Sequence, residues 1–373
     1  MERAIQEIKE IFGKEEGEQA RETKAAAEGG EKESEMEEVK EERPQDNWNP
    51  LVQGCRSVEV FERMEYIDEG SYGKVFKARN KVTKEIVAIK QVKMSKDAGK
   101  EGFPVTALRE TNVLLSLTHP NIMRVHEMLV GSSAEKIYMV MEYFDRDLKD
   151  VMSKMKKRHE SFSTSEVKNL MLQLLRAVEH LHRHWYIHRD LKTSNLLYNS
   201  KGKVAICDFG LARKYEEPIQ PYTQLVVTLW YRPPELLLGE KVYSTAVDMW
   251  SLGCIFGEIV LGEPMMKGKG EVDQMNKIFN VLGAPSEDKW PGWSKLPLAN
   301  QVKWSQGSAS KLRDMFPATS FSGGPILSKV CPMLSPVQES LPPPRLHGIA
   351  SGLLLKSKTP SLAFLTPTRW PLF

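Results

Sequence analysis

The stretch His188-Arg189-Asp190-Leu191-Lys192-Thr193-Ser194-Asn195 decides how this chain folds. It places an acid, a lysine and an amide in one short segment, and phosphoryl transfer uses all three. Asp190 can accept the proton of an incoming hydroxyl, Lys192 can hold a γ-phosphate, and Asn195 can bind Mg²⁺. The triplet Asp208-Phe209-Gly210 begins 18 residues after Asp190 and offers a second oxygen ligand for the metal. Either motif alone also fits a charged surface loop, but the two in this order predict a phosphotransfer site.

The composition is typical of a soluble globular protein. Hydrophobic residues make up 41% and charged residues 27% of the 373 residues, which is ordinary for a globular domain. No run of about 18 apolar residues occurs, so we expect no membrane-spanning helix and no membrane partner. The four cysteines are scattered rather than paired, which indicates reduced thiols and argues against a disulfide framework or a zinc site.

The first part of the chain differs in charge from the rest. Residues 1–43 hold 15 acidic and 8 basic side chains, a net charge of −7, whereas the remainder carries +10. Because residues 1–56 have few aromatic side chains, we predict that they form a charged, largely disordered tail. The basic run Lys154–His159 is short, and it favours a solvated loop or a nuclear-import signal over direct nucleic-acid binding.

Two strands and a glycine turn are predicted after Phe61. The strands are Val75–Ala78 and Ile86–Lys90, on either side of a polar turn. Just before them, Gly70 and Gly73 would let the backbone come close to a polyphosphate. A Gly-x-x-Gly turn is usually only a hairpin, but Lys90 ends the second strand and can pair with the α- and β-phosphates. The combination predicts a nucleotide site.

A helix is predicted from about Pro104, a residue that suits a first helical turn. Glu110 lies 20 residues after Lys90 and can form the ion pair that positions this lysine. A helical glutamate is more often a solvated charge, but the order of glycine turn, lysine and glutamate favours the ion pair. The strand Ile137–Phe144 should then end in a connector that separates a small β lobe from a larger helical lobe.

The second lobe is predicted to be mostly helical. Ser163 and Glu166 form a capping box at the start of one helix. Residues 244–261 are apolar nearly all round, which indicates a helix in the middle of the lobe. A further stripe ends at Gly283, a typical helix C-terminus, and consists of Val272, Met275, Ile278 and Leu282.

With these motifs the chain resembles the eukaryotic protein kinases, and among them the cyclin-dependent kinases, most of all the PITSLRE group. The resemblance runs from about Phe61 to about Leu327. Residues Phe103–Glu110 stand where that group has its name-giving sequence, and Thr193-Ser194 matches the group better than the Pro-Gln of its relatives. It implies an α+β, two-lobed kinase fold: a β-rich N-lobe (61–143) with one regulatory helix, and a helical C-lobe (145–327).

The resemblance also assigns residues to the site. Asp190, Lys192, Asn195 and Asp208 would be catalytic, with Asn195 and Asp208 as ligands of Mg²⁺. ATP would lie between the lobes. The residues assigned to ATP binding are Glu69, Gly70, Ser71, Tyr72, Gly73, Val75, Ala88, Lys90, Glu110, Met141, Glu142, Phe144 and Asp147.

The same resemblance implies control by a partner and by phosphorylation. A cyclin, of the L type in this group, would press on the helix around Phe103–Glu110 so that Lys90 and Glu110 can pair. An activating kinase would phosphorylate Thr223. The phosphate would gather three arginines through charge-assisted hydrogen bonds, namely Arg109, Arg189 and Arg213.

Further sites concern specificity and inhibition. Val226 and Val227 would form the apolar pocket that favours proline after the target Ser or Thr. Ser71 and Tyr72 match sites of inhibitory phosphorylation, although such residues are otherwise ordinary turn formers. The resemblance favours a nuclear location, with the cytoplasm as the alternative, and a role in transcription, pre-mRNA splicing or the cell cycle.

The end of the chain departs from the family. Residues 328–373 form an atypical Pro- and Ser-rich tail in place of the last helices of the lobe, and three adjacent prolines (342–344) forbid a helix there. In kinases Glu235 pairs with an arginine from that region, and Arg345 is a poor substitute. We therefore keep a second hypothesis, a catalytically weak or silent isoform that binds a cyclin.

Overall fold

The computed structural model describes residues 54–70, 73–92, 105–132, 136–215, 222, 227–299, 310–316 and 334. Several sequence predictions therefore lie outside the described residues. They concern the N-terminal tail, the glycine turn, the start of the predicted helix, the segment around the predicted phosphorylation site, and nearly all of the C-terminal tail. The residues are 1–53, Ser71, Tyr72, Phe103, Pro104, Thr223, Val226, Arg345 and the rest of 328–373 apart from Leu334.

The N-lobe is built on one six-stranded sheet with the order β1-β5-β6-β4-β3-β2. Its strands are β1 (Arg56–Ser57), β2 (Phe61–Gly70), β3 (Gly73–Asn80), β4 (Ile86–Val92), β5 (Val125–Val130) and β6 (Ile137–Glu142). All neighbours are antiparallel except β1, which runs parallel to β5. The β3–β4 turn is closed by Asn80, whose Oδ1 accepts from the backbone N–H groups of Val82 and Thr83 at 2.9 and 3.1 Å. This is the turn predicted from the sequence.

One helix accompanies this sheet, α1 (Val105–Ser116). Ala107 on α1 packs against Val92 and Ile137 of the sheet in a small apolar cluster. Glu110, one turn further along, is buried with 3% of its surface exposed. A buried carboxylate without a partner is costly in free energy. We therefore expect α1 to place Glu110 beside a cation.

The C-lobe is helical and holds the larger core. Its helices are α2 (Leu148–Lys157), α3 (Thr164–Arg183), α4 (Pro234–Leu237), α5 (Ala246–Leu261), α6 (Glu271–Leu282) and α7 (Leu312–Met315). The capping box of Ser163 and Glu166 is present at the start of α3. Every residue of α5 from Val247 to Ile259 is buried, as its apolar sequence predicts. In the described part of the chain, no helix combines the length and apolarity needed to span a bilayer.

The stripe predicted for α6 is partly wrong. Gly283 does end the helix, with a positive φ of 89°, and Met275 and Ile278 are buried. Val272, however, is 60% exposed. Gln274 is buried in its place, because its Oε1 accepts from the backbone N–H of Gly268 at 2.7 Å. A hydrogen-bonded glutamine thus occupies the inner face where the pattern predicted only apolar side chains.

Two small sheets follow the large sheet in the chain, and the connections between their strands carry the motif residues. One has the order β10-β9-β7 and contains β7 (Arg146–Asp147), β9 (Leu196–Tyr198) and β10 (Val204–Ile206). The other pairs β8 (Tyr186–Ile187) with β11 (Arg213–Lys214). The segment His188–Asn195 therefore joins β8 to β9, and Asp208-Phe209-Gly210 joins β10 to β11. This topology brings the two motifs side by side.

Candidate active site

The loop His188–Asn195 is hydrogen-bonded through its backbone to one buried carboxylate, Asp248 of α5. Asp248 Oδ2 accepts from the backbone N–H of His188 at 2.9 Å and contacts His182 Nε2 at 2.8 Å. Its Oδ1 accepts from the backbone N–H of Arg189 at 2.9 Å. Burial opposes ionisation, but the hydrogen bond and charge of His182 and the other donors outweigh it and lower the pKa of Asp248. The loop is thereby fixed to the core of the C-lobe.

The Asp190 carboxylate lies at the centre of a hydrogen-bond network. Its Oδ2 accepts from Lys192 Nζ at 2.7 Å and from Asn195 Nδ2 at 3.1 Å. Its Oδ1 accepts from the hydroxyl of Thr228 at 2.8 Å and from the backbone N–H of that residue at 3.1 Å. Lys192 also donates to the Thr228 hydroxyl at 3.2 Å. A hydroxyl substrate that replaced Thr228 Oγ1 would stand between a proton acceptor and a phosphate-binding cation.

Lys90 and Glu110 form the ion pair that the sequence predicts. Lys90 Nζ lies 2.7 and 2.8 Å from the two carboxylate oxygens of Glu110. Only 13% of the Lys90 side chain and 4% of the Glu110 side chain are exposed. The pair joins β4 to α1, which is the arrangement that the resemblance assigns to the cyclin-bound state. That a cyclin is needed to form it stays a prediction.

The two predicted metal ligands are adjacent. The backbone N–H of Cys207 donates to the Asn195 carbonyl at 3.0 Å, which places Asp208 beside that loop. Asn195 turns its amide nitrogen to Asp190, so its side-chain oxygen is left for a cation. The Asp208 carboxylate has no hydrogen-bond donor among the described residues, and its backbone has a strained φ of 63°. One amide oxygen and one carboxylate suit Mg²⁺, which takes its remaining ligands from phosphate and water.

Charged side chains from several elements lie near the predicted metal ligands. Burial raises the pKa of the Cys207 thiol, and the negative charges of Asp208, Glu110 and Asp147 raise it further, while Lys90 lowers it. These side chains therefore share one electrostatic environment. Asp147 also begins α2, where its Oδ1 accepts from the N–H of Asp150 at 2.8 Å. Burial is the main cause that raises the pKa of Asp147.

The predicted adenine pocket lies along β6 and the connector after it. Ala88 and Met141 are direct partners in the β4–β6 pairing and both are buried. Val75 is the partner of Lys90 in the β3–β4 pairing. Strand β6 ends at Glu142, and buried Phe144 follows in the connector. The backbones of Glu69, Gly70 and Gly73 belong to β2 and β3, and Gly70 pairs with Gly73. Their roles in ATP binding stay predictions.

The three predicted phosphate-binding arginines come together. Burial lowers the pKa of Arg213, and the neighbouring charges of Arg189 and Arg109 lower it further. Arg109 donates to the Gly210 carbonyl at 3.3 Å, and Arg189 donates to the Leu211 carbonyl at 2.9 Å. Such crowding of like charges is unfavourable in itself. An anion placed among the three guanidinium groups would relieve it.

Val227, which the sequence assigns to an apolar pocket, has an unusual backbone conformation. Val227 has a φ of 65°, a rare conformation for a β-branched residue. Its carbonyl accepts from Arg232 Nε at 3.2 Å and Nη2 at 3.1 Å. Arg232 is in turn paired with Glu271 at 2.7 Å. The Val227 carbonyl is therefore already occupied.

Sequence reasoning missed Asp248, Thr228 and Lys203. The signal for Asp248 was its charge inside an otherwise apolar helix, because a buried acid requires donors. Thr228 shows nothing unusual in sequence. Lys203 contacts Glu142, which lies 61 residues away in sequence, and no motif spacing connects the two.

Comparisons with known proteins agree with this geometry. The protein kinase domain family model matches residues 61–331. The chain is 57% identical over 300 residues to cyclin-dependent kinase G-1 of Oryza sativa subsp. indica, covering 79% of this chain and 42% of that protein. It is 54% identical over 281 residues to cyclin-dependent kinase 11B of Homo sapiens, and the match covers 75% of this chain and 34% of that protein. It is 53% identical over 296 residues to cyclin-dependent kinase G1 of Arabidopsis thaliana, and the match covers 78% of this chain and 48% of that protein.

The chain thus spans less than half the length of these relatives. The family match includes the loop around Asp190, the Lys90–Glu110 pair and the Asp208 triplet. The predicted kinase fold and the resemblance to cyclin-dependent kinases are confirmed, whereas the exact domain boundaries stay predictions. This chain belongs to the protein kinase family, and its kinase domain is of the cyclin-dependent kinase type.

Proposed function

We propose that this chain is a cyclin-dependent serine/threonine kinase that transfers the γ-phosphate of ATP to Ser or Thr followed by proline. The observation that carries the proposal is the network of Asp190, Lys192 and Thr228. The Thr228 hydroxyl lies 2.8 Å from Asp190 Oδ1 and 3.2 Å from Lys192 Nζ, so both groups can reach one hydroxyl oxygen. A substrate hydroxyl at this position would meet a proton acceptor and a phosphate-binding cation together.

The chemistry follows from the residues around this position. Asp190 orients the hydroxyl and receives its proton as the hydroxyl oxygen bonds to the γ-phosphorus, while the bond from that phosphorus to the bridging oxygen breaks and ADP leaves. Lys192 balances the negative charge of the transferred group, and Lys90, held by Glu110, orients the other phosphates. Mg²⁺, when bound by Asn195 and Asp208, would neutralise the charge on the phosphate oxygens. The catalysis is therefore mainly positioning and charge stabilisation.

The preference for proline follows from Val227. In an extended substrate, the residue after the acceptor has a backbone N–H that needs a carbonyl partner. The Val227 carbonyl is already bonded to Arg232, so most residues would leave this N–H unpaired at a cost of about 1–3 kcal/mol. Proline has no N–H and avoids that cost.

Two regulators complete the proposal. An L-type cyclin would bind at α1 and stabilise the Lys90–Glu110 pair. Phosphorylation of Thr223 by another kinase would supply the anion for Arg109, Arg189 and Arg213. In support, the neighbouring Tyr222 lies over Arg189, with 5.8 Å from the guanidinium carbon to the ring centre. A nuclear location is proposed on the family resemblance alone.

A second candidate is a cyclin-binding isoform with little or no activity, and it rests on Glu235. The Oε2 atom of this carboxylate is inaccessible to solvent and has no hydrogen-bond partner among the described residues. If the C-lobe is destabilised there, the chain could still present α1 to a cyclin. It would then compete with active kinases for that partner.

The test is phosphate transfer from Mg·ATP to two peptides that differ only in Ser-Pro against Ser-Ala. The full chain is assayed with and without an L-type cyclin. We expect transfer only with cyclin and a preference for Ser-Pro that falls when Arg232 is replaced by Ala. Cyclin binding without transfer would support the second candidate. Equal use of both peptides would contradict the proline specificity.

A further inference from the structure

The turn between β9 and β10 is tightly organised. Asn199 Oδ1 accepts from the backbone N–H groups of Lys201 and Lys203, both at 3.0 Å. The N–H of Asn199 donates to the Lys203 carbonyl at 3.1 Å. Gln173 of α3 holds the turn from the side, accepting from the N–H of Val204 at 3.0 Å and donating to the Gly202 carbonyl at 2.9 Å. The direction in which Lys203 leaves the turn is therefore fixed.

This turn contacts the connector between the lobes at two points. Lys203 Nζ lies 2.5 Å from Glu142 Oε1, with 31% and 32% of the two side chains exposed. The same ammonium lies 5.4 Å from the ring centre of Phe144, a distance at which a cation is attracted to the ring. The backbone N–H of Ser200 donates to Asp145 Oδ2 at 3.1 Å. Both ends of the connector segment 142–145 are thus tied to one turn.

The hairpin that carries this turn also carries the metal site. Strand β9 begins immediately after Asn195, and β10 ends two residues before Asp208. The two strands pair in register from Leu196↔Ile206 to Tyr198↔Val204. The connector leads directly into β7, which pairs with β9. The contacts at the turn therefore add a second attachment between the connector and the hairpin that carries the predicted metal ligands.

We propose that Lys203 is a positioning residue for nucleotide binding, which aligns the adenine-binding connector with the metal site through Glu142 and Phe144. The inference rests on the proposed function, because it assumes that ATP binds along residues 142–144. Lys203 needs no contact with the nucleotide. It restricts the connector before binding, and restricting a site in its bound conformation lowers the entropy cost of association.

The experiment is calorimetric titration of the full chain with Mg·ADP. Replacing Lys203 with Ala should weaken binding about two- to fivefold, the range set by a partly exposed ion pair. Lys203→Arg keeps the charge and should restore most of the affinity. Lys201→Ala is the matched control, since Lys201 is an exposed lysine of the same turn whose hydrogen bond to Asn199 uses only its backbone. It should bind like the wild type.

Two further readouts separate positioning from a general loss of structure. In the transfer assay, Lys203→Ala should raise the KM for ATP and leave kcat nearly unchanged. The double variant Lys203→Ala with Glu142→Gln should bind Mg·ADP no more weakly than the weaker single variant, because both remove the same contact. Melting temperatures of all variants are measured in parallel and should agree.

The outcomes are distinct. Unchanged affinity of Lys203→Ala for Mg·ADP, with normal binding by the wild type, would overturn the inference and leave the proposed function intact. An equal loss in Lys201→Ala would overturn it as well, because the effect would then come from the charge of the turn. A wild-type chain that does not bind Mg·ADP would overturn both the inference and the proposed function.

Discussion

Two buried carboxylates of the C-lobe, Asp248 and Glu235, are in opposite electrostatic situations. Asp248 is surrounded by donors from His182, His188 and Arg189, and its pKa is lowered from the ordinary value of 3.8 despite its burial. Burial, with a smaller contribution from the charge of Glu240, raises the pKa of Glu235 to about 7, against one hydrogen bond from its own backbone. The same kind of group is thus ionised in one place and easily protonated in the other.

The difference lies in the donors that reach each carboxylate. Asp248 holds the loop His188–Asn195, and its donors come from α3 and from the loop itself. Glu235 lies in the first turn of α4, and its Oε2 finds no donor in the described part of the chain. The family resemblance implies an arginine partner for Glu235 from the region after residue 327. The described residues therefore supply Asp248 with three donors and leave Glu235 Oε2 with none.

The largest expected effect comes from replacing Asp248. Replacing Asp248 with Asn removes a charged acceptor from three donors and should cost about 3–5 kcal/mol of unfolding free energy, because each hydrogen bond to a charged group contributes about 1.5–3 kcal/mol. The free energy is measured by urea denaturation. The variant should also lose nearly all transfer activity, because the catalytic loop loses its anchor. A loss of less than about 1 kcal/mol would mean that Asp248 is not the anchor.

The second prediction concerns Glu235 and its pH dependence. Since its folded pKa is about 7 and its ordinary value is 4.5, the folded state binds more protons than the unfolded state between these values. Its contribution to stability is therefore lost as the pH rises from about 4.5 to 7. Glu235→Gln should remove this dependence and stabilise the chain by about 1–3 kcal/mol at pH 8.

The measurement is urea denaturation of both proteins at pH 5 and pH 8. The wild type should be less stable relative to Glu235→Gln at pH 8 than at pH 5. If the substitution instead destabilises the chain at pH 8, the carboxylate has a cationic partner, and the contrast with Asp248 is wrong.

The smallest expected effect comes from a carboxylate at the surface. Glu263 pairs with Lys156 at 2.9 Å, but 56% and 62% of the two side chains are exposed. Such pairs contribute about 0–1 kcal/mol and are screened by salt. Replacing Lys156 with Ala should change the unfolding free energy by less than about 0.5 kcal/mol, with no pH dependence between 6 and 8. A larger effect would mean that exposure is a poor guide to these energies.

The sequence predicted the parts of the site that depend on local order. The Lys90–Glu110 pair, the capping box of α3 and the adjacency of the Asp190 and Asp208 motifs follow from spacing and element type. Contacts across the fold could not be predicted in this way, because Lys203 and Asp248 meet partners set by tertiary packing. The error at Val272 has the same cause, since a hydrogen bond to Gly268 draws Gln274 inward.

The most direct test of the account is transfer of labelled γ-phosphate from Mg·ATP to a Ser-Pro peptide in the presence of cyclin, comparing the wild type with Asp190→Asn. Asparagine preserves the shape of the side chain but cannot take the proton. We expect transfer by the wild type, and about a 10²- to 10⁴-fold lower kcat in the variant, with Mg·ADP binding and melting temperature unchanged. Equal turnover by the two proteins would contradict the role of Asp190 and with it the proposed mechanism.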